Sequence, residues 1–323
     1  MKVSILGTGA YGISLGLILK DNNHDVYMWT KFDEEANYLN QTRVSPNLKG
    51  VKIYKDIVIS TNFEETIKDS KLIIIAVPAA FVNDVSSELK KYLTDNQHVC
   101  IASKGIERNT CSFVYDVFKR NIDSDKVGII SGPTFAIDVA KKVPIGLSLA
   151  SKNLETVNII KDALQNNHVK LRHTEDILGV EICGSIKNVI AIASGMLDGM
   201  NLPISTQAML ITESLNDIKE LIDTLGGDKK TILSFAGFGD ILLTCTSVKS
   251  RNFTFGKLIG SKADKDQINQ YIETTTIEGL YTLKSIYQLL NDKKVNMPII
   301  DLIYDIIYNE KPAEELLTFL ITK

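Results

Sequence analysis

The chain has 323 residues, 44% of them hydrophobic and 23% charged, with a formal net charge of −3. That length suits two domains, the composition is that of an ordinary soluble globular protein, and the charge provides no overall basic field for nucleic acid or an anionic membrane. An anionic ligand would have to be held by a local cluster of cations. The opening, MKVSILGTGAYG, is broken by glycines too early for a secretory apolar region. The longest apolar run, LIIIAVPAAFV, falls well short of the roughly 20 residues that span a bilayer. A cytoplasmic protein is expected. Cys100, Cys111, Cys183 and Cys245 are far apart and form no CxxC pair, which predicts reduced, mostly buried thiols. His24, His98, His168 and His173 show no metal-ligand spacing, so no metal site is expected.

In chain order, the first half alternates short apolar runs with helical stretches. KVSILG, DVYMWT, LIIIAVP, HVCIASKG, VGIISGP and IGLSLA are rich in Val and Ile and bounded by Gly, Pro, Ser or Asp. Such runs, separated by helices, predict buried parallel strands in βαβ units. After the first run comes GTGAYG, with Gly7, Gly9 and Gly12 in GxGxxG order. A lone match is weak, but this one follows a strand and opens an apolar helix. Gly7 then permits the tight turn, Gly9 lets the backbone approach a pyrophosphate, and Gly12 lets the helix pack against the strand. The helix N-terminus would face the phosphates with its free N–H groups. The second run ends in MWTKF. Thr30 and Lys31 suit a ribose 2′-phosphate better than a carboxylate would, although Asp33 and Glu34 are close by. This favours NADP(H) and leaves NAD(H) open.

Ligands of open α/β sheets bind beyond the carboxyl ends of the strands. There CIASKG delivers Lys104, and SGPTFA delivers Gly132, Thr134 and Ala136. After VKLRHTED the pattern changes to long stretches of helical period, 176–200, 205–225, 277–291 and 297–309, with no convincing strand among them. The expected fold is a doubly wound, Rossmann-type α/β domain over 1–173, followed by an all-α domain over 174–323. Within the first long helix, VEICGSIKNV carries Lys187. Its neighbours at helical spacing, Cys183, Gly184, Ile190 and Ala191, include no acid, and Gly184, Ala191 and Gly195 make its face a strip of small side chains. Such a strip admits another body, protein or ligand. A desolvated lysine there suits proton exchange with a reacting group, whereas the bland alternative is a stem that snorkels to solvent. Further on, GFGDILLTCTSVKSRNF provides Asp240, which as a structural residue would be a helix N-cap, and Ser250, Arg251 and Asn252, donors suited to a phosphate.

Together, GTGAYG, AVP, ASKGIE, SGPTFA, EICGSIKNVIAIASGMLDG, AGFGDILLTCTSVKSRN and IEG resemble the bacterial NAD(P)-dependent glycerol-3-phosphate dehydrogenases, in order and rough spacing from residue 1 to about residue 290. The resemblance implies interconversion of dihydroxyacetone phosphate and sn-glycerol 3-phosphate, feeding glycerophospholipid synthesis. It makes Lys187 the proton donor or acceptor, with Lys104 touching both substrate and cofactor. Gly132 and Thr134 would contact substrate, and Asp240, Ser250, Arg251 and Asn252 would complete its pocket, with Asn188 and Thr244 as further candidates. Ala10, Tyr11, Ala136, Arg251 and Glu278 would reach the cofactor. The resemblance also implies a homodimer.

The chain departs from the family pattern in two places. Lys31 stands where relatives often carry arginine. The segment NLPISTQAMLITESL replaces a more glycine-rich loop and an Arg-Gly pair with Leu202-Pro203-Ile204-Ser205 and Glu213-Ser214. Two other functions compete: another two-domain hydroxyacid dehydrogenase, of the 3-hydroxy acid or ketopantoate type, and a non-catalytic nucleotide sensor. Arg251 with Asn252 argues for a phosphorylated substrate, and Lys187, Lys104 and Asp240 together argue against the sensor.

Overall fold

Runs such as LIII and VGII carry no polar face, so as strands they are stable only where both sides of a sheet are covered. In the computed structural model, which describes residues 1–108 and 110–323, they lie in the middle of one sheet. Its strands are β1 (Lys2–Leu6), β2 (Asp25–Trp29), β3 (Val58–Ser60), β4 (Leu72–Ile75), β5 (His98–Ile101), β6 (Val127–Ser131), β7 (Ile145–Ala150) and β8 (Val169–Thr174). The order is β3-β2-β1-β4-β5-β6-β7-β8. β4, β5 and β6 are buried along their whole length, while β2 alternates buried with more exposed positions. From β3 through β6 all neighbours are parallel, and the chain reverses winding direction between β1 and β4. That reversal opens the crevice in which doubly wound folds bind nucleotides.

Three features of the sheet depart from the sequence reading. IGLSLA, expected to be parallel, runs antiparallel to β6 as β7. VKLRHT, taken only as the place where the pattern changes, is β8, parallel to β7, with Lys170 and Arg172 on its exposed face. VIS forms the short edge strand β3, which no run had marked.

Two compact units divide the chain. The first is Met1–Lys104 with Val114–Ile177, and the second is Gly105–Phe113 with Leu178–Lys323. The sequence reading drew one boundary after residue 173; the structure adds the short excursion Gly105–Phe113, closed by an antiparallel bridge between Ile106 and Phe113.

The second unit is helical. Its long helices are Ile177–Gly199, Ile204–Thr224, Glu278–Lys293 and Pro298–Tyr308, and shorter ones include Asp240–Cys245, Arg251–Gly260 and Lys265–Thr274. Ile177–Gly199 is long and apolar enough to cross a membrane, yet 94% of its most apolar window is buried inside the protein. Ile182, Ile186, Val189, Ile190, Met196 and Leu197 are fully buried on it. Part of its small-residue face meets a second backbone. A Cβ on Gly195 would collide with the Phe253 carbonyl oxygen, and one on Gly199 with the Lys257 carbonyl oxygen. The fit is reciprocal, because a Cβ on Gly256 would strike the Ile192 carbonyl and one on Gly260 the Met196 carbonyl. Two Gly-x-x-x-Gly pairs thus let the helices Ile177–Gly199 and Arg251–Gly260 pack backbone to backbone. This close approach carries Asn252 to Asn188, the residue that follows Lys187.

Candidate active site

Lys187 is 8% exposed, and its Nζ lies 2.6 Å from Oδ1 of Asp240, a residue only 1% exposed. The expectation of a lone ammonium is therefore corrected. The partner acid is 53 positions away in sequence, beyond the reach of any helical-spacing rule. Asp240 owes its position to an irregular turn. Ser234 caps Phe235–Gly239 by accepting from the Gly237 N–H, and Gly237 passes so close to the Ile232 carbonyl that a side chain there would collide with it. The helix Asp240–Cys245 follows, with Gly239 rather than Asp240 as its N-cap, which turns the Asp240 carboxylate inward to the lysine. Thr244, one turn later, donates to the Asp240 carbonyl at 2.6 Å and lies 3.4 Å from its Oδ1. Cys245 is buried beside this pair, and its burial pushes the thiol pKa well up.

Next to Lys187 on its helix, Asn188 is the hub of a second set of contacts. Its Oδ1 accepts from Asn252 Nδ2 at 2.9 Å, and its Nδ2 donates to Glu278 Oε2 at 3.3 Å. Asn252 Oδ1 in turn accepts from the Gly279 N–H at 2.8 Å. Arg251 Nη2 is 3.9 Å from Glu278 Oε1, with both side chains about half exposed. Ser250 caps the helix Arg251–Gly260 by accepting from the Phe253 N–H at 3.3 Å, which fixes the direction in which Arg251 and Asn252 leave the first turn. Within this unit the structure thus brings together Lys187, Asn188, Asp240, Thr244, Ser250, Arg251, Asn252 and Glu278. It is a buried ion pair beside a helix start that presents a guanidinium and amides.

The first unit carries the other predicted residues. Gly7 has φ of +119° and its Cβ would stand 2.8 Å from the Ala76 carbonyl oxygen, so glycine is required by conformation and by space. At Gly12 a Cβ would strike the Gly7 carbonyl, whereas at Gly9 nothing lies within 4 Å. The loop is thus tight where it turns and open at Gly9, and no side chain caps the helix Ala10–Asp21 that follows. Open backbone at an uncapped helix start fits a pyrophosphate. Ser14 joins this helix to the start of Ala136–Ala140 by donating to both the Ala10 and Ala136 carbonyls, each at 2.8 Å, which brings those two candidates close together. Tyr11 lies half-buried beside them. At the end of β5, Lys104 Nζ donates to the Gly132 carbonyl at 3.2 Å, and Thr134 Oγ1 lies 3.4 Å from the same oxygen. At the end of β2, Lys31 is exposed, but the Thr30 hydroxyl is turned to the carboxylate of Glu35. Glu35 was missed in the sequence. Its signal is the third acid of TKFDEE, placed in the first turn of the helix Asp33–Thr42.

In the atypical segment, Ile204 opens the helix Ile204–Thr224 at 66% exposure, Ser214 is buried, and Glu213 lies 3.8 Å from the Lys323 ammonium. None of these residues contributes to the contacts around Lys187 and Asp240 described above.

Two family models match the chain: the NAD-dependent glycerol-3-phosphate dehydrogenase N-terminus over residues 2–157 and the corresponding C-terminus over 176–318. A glycerol-3-phosphate dehydrogenase [NAD(P)+] from Thermoanaerobacter sp. (strain X514) is 34% identical over 323 residues, covering 100% of this chain and 97% of the relative. One of the same name from Agathobacter rectalis is 32% identical, covering 100% and 96%. The crystal structure of glycerol-3-phosphate dehydrogenase from Coxiella burnetii superimposes with a TM-score of 0.93 at 27% identity, covering 100% of this chain and 99% of that one. A ketopantoate reductase from Ralstonia eutropha shares the fold at a TM-score of 0.60 and 12% identity.

Proposed function

This chain belongs to the NAD-dependent glycerol-3-phosphate dehydrogenase family, and we propose that it interconverts dihydroxyacetone phosphate and sn-glycerol 3-phosphate, with Lys187 as the group that moves the proton. The observation that carries this reading is the buried Lys187–Asp240 pair at 2.6 Å, next to a helix start that presents Arg251 and Asn252. When bound, the nicotinamide cofactor supplies or takes the hydride at C2 of the three-carbon unit. In the reducing direction, Lys187 gives its proton to the carbonyl oxygen as that oxygen becomes a hydroxyl; in the oxidising direction it takes that proton back. Asp240 holds the ammonium in place, and Thr244 supports Asp240. Arg251, Asn252 and Ser250 grip the phosphate, where a planar guanidinium fork is worth more than a point charge. Asn188 orients Asn252 and Glu278, and the family resemblance makes Lys104, Gly132 and Thr134 further substrate residues. Gly7, Gly9, Ala10, Tyr11, Gly12 and Ala136 hold the cofactor, the family resemblance adds Arg251 and Glu278, and Lys31 is the cation at the end of β2 that would favour NADP(H), with NAD(H) open because of the acids close by.

The proposal extends to a cytoplasmic enzyme at the entry to glycerophospholipid synthesis, working without a metal, nucleic acid or membrane. It also includes a homodimer, which rests on the family resemblance. The test is loss of absorbance at 340 nm with NADH or NADPH and dihydroxyacetone phosphate, with ketopantoate as the competing substrate. Turnover of the phosphorylated ketone alone supports the reading. Turnover of ketopantoate alone, or of neither, defeats it.

A further inference from the structure

Between residues 30 and 35, TKFDEE sets three carboxylates against one lysine at the carboxyl end of β2. Two of the three hydroxyls at this edge are spent on acids, and the third, Ser60, accepts from the Asn62 N–H. Thr30, 3% exposed, donates to Glu35 Oε2, and Thr61, just past β3, donates to Asp33 Oδ1 at 2.6 Å. Arg43, at the far end of the helix Asp33–Thr42, is committed elsewhere, donating to the Ile57 carbonyl at 2.8 Å. Lys31 is left exposed, on a long stem whose ordering costs side-chain entropy. In a doubly wound fold the adenosine ribose lies at this strand end, held there next to the glycine loop; here the Gly7 N–H is itself bonded to the Trp29 carbonyl of β2 at 2.9 Å. A carboxylate fixed at that point accepts the ribose 2′-hydroxyl, and it repels a 2′-phosphate.

Resting on the dehydrogenase reading, we infer that Glu35, held at the tip of β2 by Thr30, makes this chain select NAD(H) over NADP(H). The electrostatic balance outweighs the single exposed lysine on which the NADP(H) reading depends. Glu35 acts directly on the ribose, and Thr30 is a positioning residue that acts through it.

Fluorescence titration of NADH and of NADPH measures the two dissociation constants directly, whether or not turnover occurs. The wild-type protein is expected to bind NADH at least about tenfold more tightly. Glu35→Gln, which keeps the shape and removes the charge, should shrink that ratio by about tenfold, mainly by tightening NADPH. Thr30→Val leaves the carboxylate in place but unanchored, and should shrink the ratio by a smaller factor, mainly by weakening NADH. It also serves if Glu35→Gln folds poorly. Equal or tighter binding of NADPH by the wild type overturns the inference, as does an unchanged ratio in Glu35→Gln. Preference for NADH without turnover of dihydroxyacetone phosphate would uphold this inference while sinking the assigned reaction; binding of neither cofactor sinks both.

Discussion

A lysine ammonium and an aspartate carboxylate 2.6 Å apart, with side chains 10% and 1% exposed, have surrendered most of their hydration. The pair offsets that cost only while both members are present. Removing one leaves a buried charge uncompensated. Lys187→Met and Asp240→Leu should therefore each lower the unfolding free energy by about 3–5 kcal/mol. The double variant, which buries two apolar side chains instead, should recover most of that loss. Urea denaturation of the wild type, both singles and the double gives the coupling, and strictly additive losses would show that the pair is not energetically linked. Lys187 stood out in the sequence because its helix is apolar and lacks an acid at helical spacing. Its partner did not stand out, because Asp240 in a glycine-flanked turn reads equally well as a cap, and a contact across 53 residues leaves no local trace.

At the scale of elements, the site depends on how near two helices come. Gly195 and Gly199 on one, and Gly256 and Gly260 on the other, each pass within a side chain's thickness of the opposing backbone, and Asn252 reaches Asn188 because of it. Gly256→Val would drive its side chain into the Ile192 carbonyl. A stability loss of at least about 1–3 kcal/mol is expected, the usual scale of overpacking, because a backbone cannot shift as a side chain can. A melting temperature equal to that of the wild type would contradict this packing. The small-residue strip was legible in the sequence, but its occupant was not: GKLIG is as small as GMLDG, yet nothing in either names the other as its partner. The sheet shows the same limit. Apolar runs revealed β1, β2 and β4 to β7, whereas β8 alternates charged with apolar residues and β3 is too short to show a pattern. The reversal of β7 was invisible because local hydrophobicity carries no strand direction.

Over the whole molecule, the alternation of strands and helices and then of helices alone was enough to read the architecture, because burial on both faces and burial on one stripe leave different periods. Stability as a function of pH is also a property of the whole fold. His98, at the start of β5, is fully buried, its Nδ1 2.8 Å from Thr156 Oγ1 and its Nε2 3.4 Å from Glu155. Burial pushes its pKa down, aided by Lys71 and Lys126 and opposed by Glu155. The unfolded chain therefore takes up the proton more readily than the folded one. The neutral ring's contribution is present above the ordinary imidazole range, near pH 6.5, and is lost as pH falls from there through the depressed folded value. His98→Gln should flatten the decline in urea midpoint below about pH 6.5. An unchanged slope would remove His98 from the acid sensitivity. The most direct test of the whole account is the turnover of Lys187→Ala with dihydroxyacetone phosphate and saturating cofactor. The account predicts that kcat falls about a hundredfold or more, the scale of losing a general acid, while KM changes little. A variant that keeps its kcat and alters only KM would contradict it.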